Sequence, residues 1–242
     1  MACPASARPT PPLVLTAAAA ERVKADAPLR ILAIGSSSTA GVGASRPDHA
    51  YPARLAHLLD QALGEGRVQM TNAGVSGESS PATLNRLLAI LAGPERPDLV
   101  IWQVGTNDAI FGNTPERLGA GVAQGVEAAA AAQVALILMD QQYFPTILDK
   151  AAYERFVAAV DAAASAHGTP LLHRYAMMKQ WSVDDPQGFR GLFWWDRFHM
   201  NDKGYACLAE LLAGAVVDAV QAARTPVPLP PPPPGAPARP LR

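Results

Sequence analysis

The stretch "RILAIGSSSTAGVGAS", residues 30–45, sets three serines at the end of a short apolar run. A serine hydroxyl becomes a useful nucleophile when a neighbouring base takes its proton. Imidazole suits that task because it titrates near neutrality. A carboxylate on the far ring nitrogen fixes the tautomer and stabilises the imidazolium. The segment "WWDRFHMN" (194–201) carries Asp196 and His199 three residues apart, a spacing that a turn can close onto one imidazole. Attack on an ester carbonyl creates an oxyanion, which needs preorganised donors. Gly77 in "NAGVSGE" (72–78) offers a backbone N–H where a side chain would obstruct it, and Asn107 in "GTND" (105–108) offers a side-chain amide.

These segments are far apart in the chain and need a fold that gathers them. "RILAIG" (30–35), "RVQMTNAG" (67–74), "DLVIWQVG" (98–105), "VALILMD" (134–140) and "TPLLHRY" (169–175) read as short buried strands. Helical faces alternate with them. Tyr51, Leu55, Leu58, Leu59 and Leu63 share one face. Ser80-Pro81 reads as the cap and first residue of a helix carrying Leu84, Leu87, Leu88 and Leu91. Thr114-Pro115-Glu116 opens an alanine-rich helix, and Tyr153, Phe156, Val157 and Val160 mark another that stops at Gly168. Asn201 can cap a last helix with Leu208, Leu211, Leu212 and Val216. Such alternation predicts an α/β fold, a three-layer α/β/α sandwich around a five-stranded parallel sheet. The four polar segments then meet at the carboxyl edge of the strands, where ligands bind in such sheets.

Taken together, Gly35-Ser36-Ser37, Gly77, Gly105-Thr106-Asn107-Asp108 and Asp196-Arg197-Phe198-His199 resemble the four blocks of the SGNH, or GDSL-type, hydrolases. The resemblance spans residues 30–204. It implies a flavodoxin-like sandwich and ester hydrolysis by Ser37 with His199 and Asp196. It also implies an oxyanion hole made by the Ser37 N–H, the Gly77 N–H and the Asn107 side chain. Ser37 is chosen among the three serines because "GSSSTAG" aligns with the family's Gly-Asp-Ser-x-x-x-Gly. Ser36 stands where the family usually has Asp, and is expected to replace part of that carboxylate's bonding to backbone N–H groups. Asp108 is expected to hold its loop. No metal or organic cofactor is implied.

Blander readings stand beside these. A serine triplet after a strand is most often a turn. His57 and His167 read as structural or solvated, His173 as a residue of the fifth strand, and His49 as a possible pocket lining. Asp184 and Asp185 are rival partners for the histidine. Asn72 caps a turn or touches the site. Of Trp194 and Trp195, one is expected in the core and the other could floor a sugar or acyl site. Gln141, Gln142 and Tyr143 follow the fourth strand and either meet substrate or are solvated. The serine loop has no Gly-Lys-Ser/Thr of a P-loop, and Gly35, Gly41 and Gly43 lack the dinucleotide spacing. A Gly-x-Ser-x-Gly elbow is also absent.

The chain has 242 residues, 49% of them hydrophobic and 17% charged, with a net charge of −1. One domain over 28–224 is expected, with an Ala/Pro-rich arm (1–27) and an extended Pro-rich tail (225–242). Without a basic stripe, nucleic acid is not an expected partner. The longest apolar runs are interrupted by polar residues, so no integral membrane segment is expected. No basic region precedes an apolar one at the start. The compartment reads as periplasmic or secreted if a signal has been removed, and cytoplasmic otherwise. Cys3 and Cys207 lack metal-ligand spacing. Cys207 is a small buried hydrophobe or pairs with Cys3 to pin the arm.

The resulting expectation is a serine esterase for small-molecule esters, leaning to short acyl groups such as those of acetylated carbohydrates. A lysophospholipase or thioesterase of the same kind, or a non-catalytic carbohydrate- or lipid-binding module, are the alternatives. Oligomeric state is not legible.

Overall fold

The computed structural model describes residues 8–225. Five strands, β1 (Leu29–Gly35), β2 (Val68–Gly74), β3 (Leu99–Gln103), β4 (Ala135–Met139) and β5 (Leu171–Leu172), form one parallel sheet in the order β2-β1-β3-β4-β5. The order reverses at β1, so its carboxyl end opens at the switch point where doubly wound sheets take their ligands.

Side chains alternate across the sheet with the period of two that a strand imposes. Ile31, Ala33, Leu99, Ile101, Ile137 and Met139 enter one core, and Leu32, Ile34, Val100, Trp102, Leu136 and Leu138 the other. The first core is covered by α1 (Ala17–Lys24), α3 (Tyr51–Leu63) and α10 (Asp202–Arg224), through Val23, Leu55, Leu59, Leu208 and Leu212. The second is covered by α4 (Ser80–Ala92), α6 (Pro115–Ala131) and α7 (Lys150–Ala166), through Leu84, Leu87, Leu118, Val122 and Val160. Truncating one of these leucines to alanine would cost about 2–5 kcal/mol. Two short helices, α2 (Ser37–Ala40) and α5 (Thr106–Ile110), sit at the carboxyl ends of β1 and β3.

The fifth strand departs from expectation. Its pairing with β4 ends after Leu138↔Leu171 and Met139↔Leu172. His173 then starts α8 (Arg174–Asp184), followed by α9 (Pro186–Arg190). His173 is thus an exposed helix-start residue and not part of the strand, its side chain 41% accessible. Tyr175, Met178 and Trp181 recur at helical spacing and are buried, which a reading based on "TPLLHRY" alone overlooks.

Thr10 bridges Leu171 in antiparallel fashion, and Leu13 and Leu15 are buried in the first core. Part of the arm therefore packs on the domain. The Cys3 half of the expected disulfide lies outside the described residues, as do tail residues 226–242. Cys207 is buried in α10. That helix is long and apolar enough, by length and composition, to cross a membrane, so the expectation that every apolar run falls short does not hold for it. The polar residues within it are too sparse to break its apolar character. Leu208, Leu211, Leu212 and Val216 spend it on the first core.

Candidate active site

At the end of β1 the chain leaves Gly35 and enters α2, with Ser37 as the first helical residue. Ser36, Ser37 and Ser38 are all buried. The Oγ of Ser37 lies 2.9 Å from Nε2 of His199, and Nδ1 of His199 lies 2.6 Å from Oδ2 of Asp196. The other oxygen of Asp196 accepts the backbone N–H groups of Phe198 and His199, each at 2.9 Å. A turn with Arg197 at φ 56° makes this possible. Burial pushes the Asp196 carboxyl up, but the bonds from the His199 ring and the Phe198 and His199 amides outweigh it and hold it below the usual carboxylate range. The structure thus joins Ser37, His199 and Asp196 into one hydrogen-bonded chain.

The other two sequence candidates meet each other next to β1. Asn107 donates from Nδ2 to the Glu78 carbonyl at 2.7 Å, beside Gly77. The Val75 N–H donates to the Gly35 carbonyl at 3.0 Å, which ties the Gly77 loop to the serine loop. Gly77 has φ 84°, and a Cβ placed there would meet nothing within 4 Å. Its left-handed backbone is one that glycine adopts without steric cost. Asp108 accepts the Ser80 N–H at 3.0 Å and its hydroxyl at 2.7 Å. Ser79, not Ser80, is the cap residue of α4, and the carboxylate of Asp108 takes over the capping.

Several neighbours differ from expectation. Trp194 and Trp195 are both exposed, at 40% and 77%, so neither is core. Gln141 and Gln142 are fully buried and so are not solvated. Asn72 caps a turn through Gly74 N–H at 2.9 Å. Asp184 accepts from Gln180 and Asp185 caps α9, so neither orients His199. His49 contacts Asp202 and lines a separate cleft with Arg54 and His57. Among the described residues no group of three or more His, Cys, Asp and Glu could hold a metal ion.

The sequence profile of the non-GDSL lipase-like family matches residues 2–222. The chain belongs to that family. Esterase TesA of Pseudomonas aeruginosa is 29% identical over 136 residues, which cover 54% of this chain and 65% of TesA, a little under two thirds of its length. A crystal structure of TesA superposes with a TM-score of 0.64 at 26% identity, covering 77% of this chain and 97% of that one. AlinE4, an SGNH-hydrolase family esterase, superposes with a TM-score of 0.57 at 25% identity, covering 79% and 96%.

Ser36 is in keeping with a non-GDSL family. The acceptor expected of it is instead Gln103 at the end of β3, whose Oε1 takes the Ser36 N–H and the Ser36 hydroxyl, both at 3.0 Å. The Ser36 hydroxyl donates, while its carbonyl accepts the Thr39 and Ala40 N–H groups at 3.0 and 2.9 Å. An amide ending the otherwise apolar "LVIWQ" was the sequence signal for this role.

In this lipase-like chain a cleft of ≈ 550 Å³ runs from Asn107 and Phe198 between Ile110, Phe111, Phe144, Ile147, Leu148 and Tyr153. The Phe198 ring stands edge-on to the His199 ring, with centroids 4.7 Å apart. Another cleft, ≈ 490 Å³ and lined by Arg30, Gln69 and Arg96, contains none of the four polar segments.

Proposed function

We propose that the protein is a serine ester hydrolase with Ser37 as nucleophile, His199 as general base and acid, and Asp196 as the group that orients the imidazole. The observation that carries this reading is the unbroken hydrogen-bonded chain from Ser37 Oγ through His199 to Asp196, with steps of 2.9 and 2.6 Å. His199 takes the Ser37 proton as Oγ attacks the ester carbonyl. The oxyanion rests on the N–H groups of Ser37 and Gly77 and on the second N–H of the Asn107 amide, whose first is held by Glu78. The alcohol leaves with the proton from His199. Water, activated by the same imidazole, then releases the acid.

The acyl group belongs in the cleft that begins at Asn107 and Phe198. The lean to short acyl groups fits an opening without a long lid. A second reading, acyl chains of several carbons, is favoured by the apolar lining, which is larger than an acetyl group can use. Each methylene buried there adds about 0.8 kcal/mol, roughly a fourfold gain in kcat/KM.

Ser37→Ala is expected to abolish hydrolysis of p-nitrophenyl esters and labelling by a fluorophosphonate while the protein stays folded. Unchanged turnover in that variant refutes the nucleophile. Absence of labelling in the unaltered protein favours a binding module. A series of acyl lengths run beside an acetylated oligosaccharide separates the two acyl readings: kcat/KM that climbs beyond butyrate supports the longer chain, and a maximum at acetyl supports the shorter.

A further inference from the structure

We propose that Gln142 is a positioning residue whose side-chain amide clamps the nucleophile helix to the loop that carries the base. The proposal rests on the reading of Ser37 and His199 given above. Gln142 follows β4 and is fully buried. Its Nε2 donates to the Phe198 carbonyl at 2.7 Å, and its Oε1 accepts the Ser38 hydroxyl at 3.3 Å. Ser38 is the residue after the nucleophile and Phe198 the residue before the base. One planar amide therefore spans the two halves of the reacting pair.

The geometry asks for an amide of this length. One end must donate and the other accept, and asparagine is one methylene shorter. The backbone of Gln142 is itself anchored, since its carbonyl accepts the Tyr153 hydroxyl from α7 at 3.0 Å. The bonds that Asp196 accepts from the Phe198 and His199 amides lie within one loop. They shape that loop without fixing it to the sheet. Gln142 attaches it to the end of β4 and to α2 at once, and so sets the distance from Ser37 Oγ to His199 Nε2. Displacements on the order of 1 Å can cost about a hundredfold in rate.

Two variants test this, Gln142→Met and Gln142→Glu, with p-nitrophenyl butyrate as substrate and circular dichroism as the check on folding. Gln142→Met keeps the length and loses both hydrogen bonds. Its kcat is expected to fall about tenfold to a hundredfold, with KM within about twofold of the unaltered protein. In Gln142→Glu the introduced carboxyl, when protonated, can still donate to the Phe198 carbonyl and accept from Ser38. When ionised, it sets an oxygen anion against that carbonyl. Its kcat is expected to gain a loss toward alkaline pH that the unaltered protein lacks. The clamp is overturned if folded Gln142→Met keeps kcat within about twofold, or if the Gln142→Glu profile superposes on the original. Should Gln142→Met fail to fold, the Gln142→Glu profile decides. Should the unaltered protein hydrolyse no ester, the reading of Ser37 fails separately. Crystal structures of Gln142→Glu at acid and alkaline pH then judge the clamp, and a Ser37–His199 distance that stays at 2.9 Å in both overturns it.

Discussion

Asp196 receives three hydrogen bonds, two from backbone amides and one from the His199 ring. Its carboxyl is held below the usual range, so it stays ionised through neutral pH and fixes which ring nitrogen faces Ser37. Asp196→Asn keeps the size of the group and removes the charge. Steady-state kinetics are expected to show kcat reduced by about two to four orders of magnitude with little change in KM. An effect of less than about fivefold would remove Asp196 from the mechanism. At this scale the legible residues were those whose chemistry is rare: a histidine beside an aspartate, an amide in "GTND". Gln103 and Gln142 were passed over or left open because an amide has no characteristic reactivity. Their roles come from what faces them, and only the fold brings Ser36 to Gln103 or Phe198 to Gln142.

Elements meet closely around Ser37. Gly74, the last residue of β2, lies against the backbone of α2: a Cβ there would sit 2.1 Å from Ala40 N and 2.5 Å from Thr39 C. Backbone cannot move aside as a flexible side chain can. Gly74→Ala is therefore expected to push α2 outward, lowering stability by about 1–3 kcal/mol in urea unfolding and reducing kcat in the surviving folded fraction. The strands were readable as short apolar runs and the major helices because apolar residues recur every three to four. The fifth strand was readable in place but not in length. Its pairing partner on β4 runs out after two residues, a tertiary fact that leaves "HRYAMM" free to be helix. The start of α4 was misread by one residue for a similar reason, since its cap comes from Asp108, 28 residues away.

Across the molecule, contacts join the early chain to its last helix. Asp202 at the start of α10 accepts the Ser45 N–H at 2.8 Å and the Ser45 hydroxyl at 2.6 Å, and lies 2.7 Å from His49 Nδ1. Partial burial pushes its carboxyl up, but the bonds from Ser45 and His49 prevail and hold it down at about 2. A carboxyl lowered by folding adds stability above its unfolded range, near pH 4, and loses it as the pH falls toward about 2. The difference in Tm between the unaltered protein and Asp202→Asn is thus expected to be constant above about pH 5 and to close between about pH 4 and 2. A difference that persists below that window would contradict the assignment. The same long reach has a temporal side. Ser37 meets its base 162 positions later. While the chain is being made, at about 5–20 residues per second, that serine waits on the order of ten seconds or more for its imidazole. On the proposed mechanism, hydrolytic power therefore arrives late, when nearly all of the domain has been synthesised, and the nascent chain carries an inert alcohol until then.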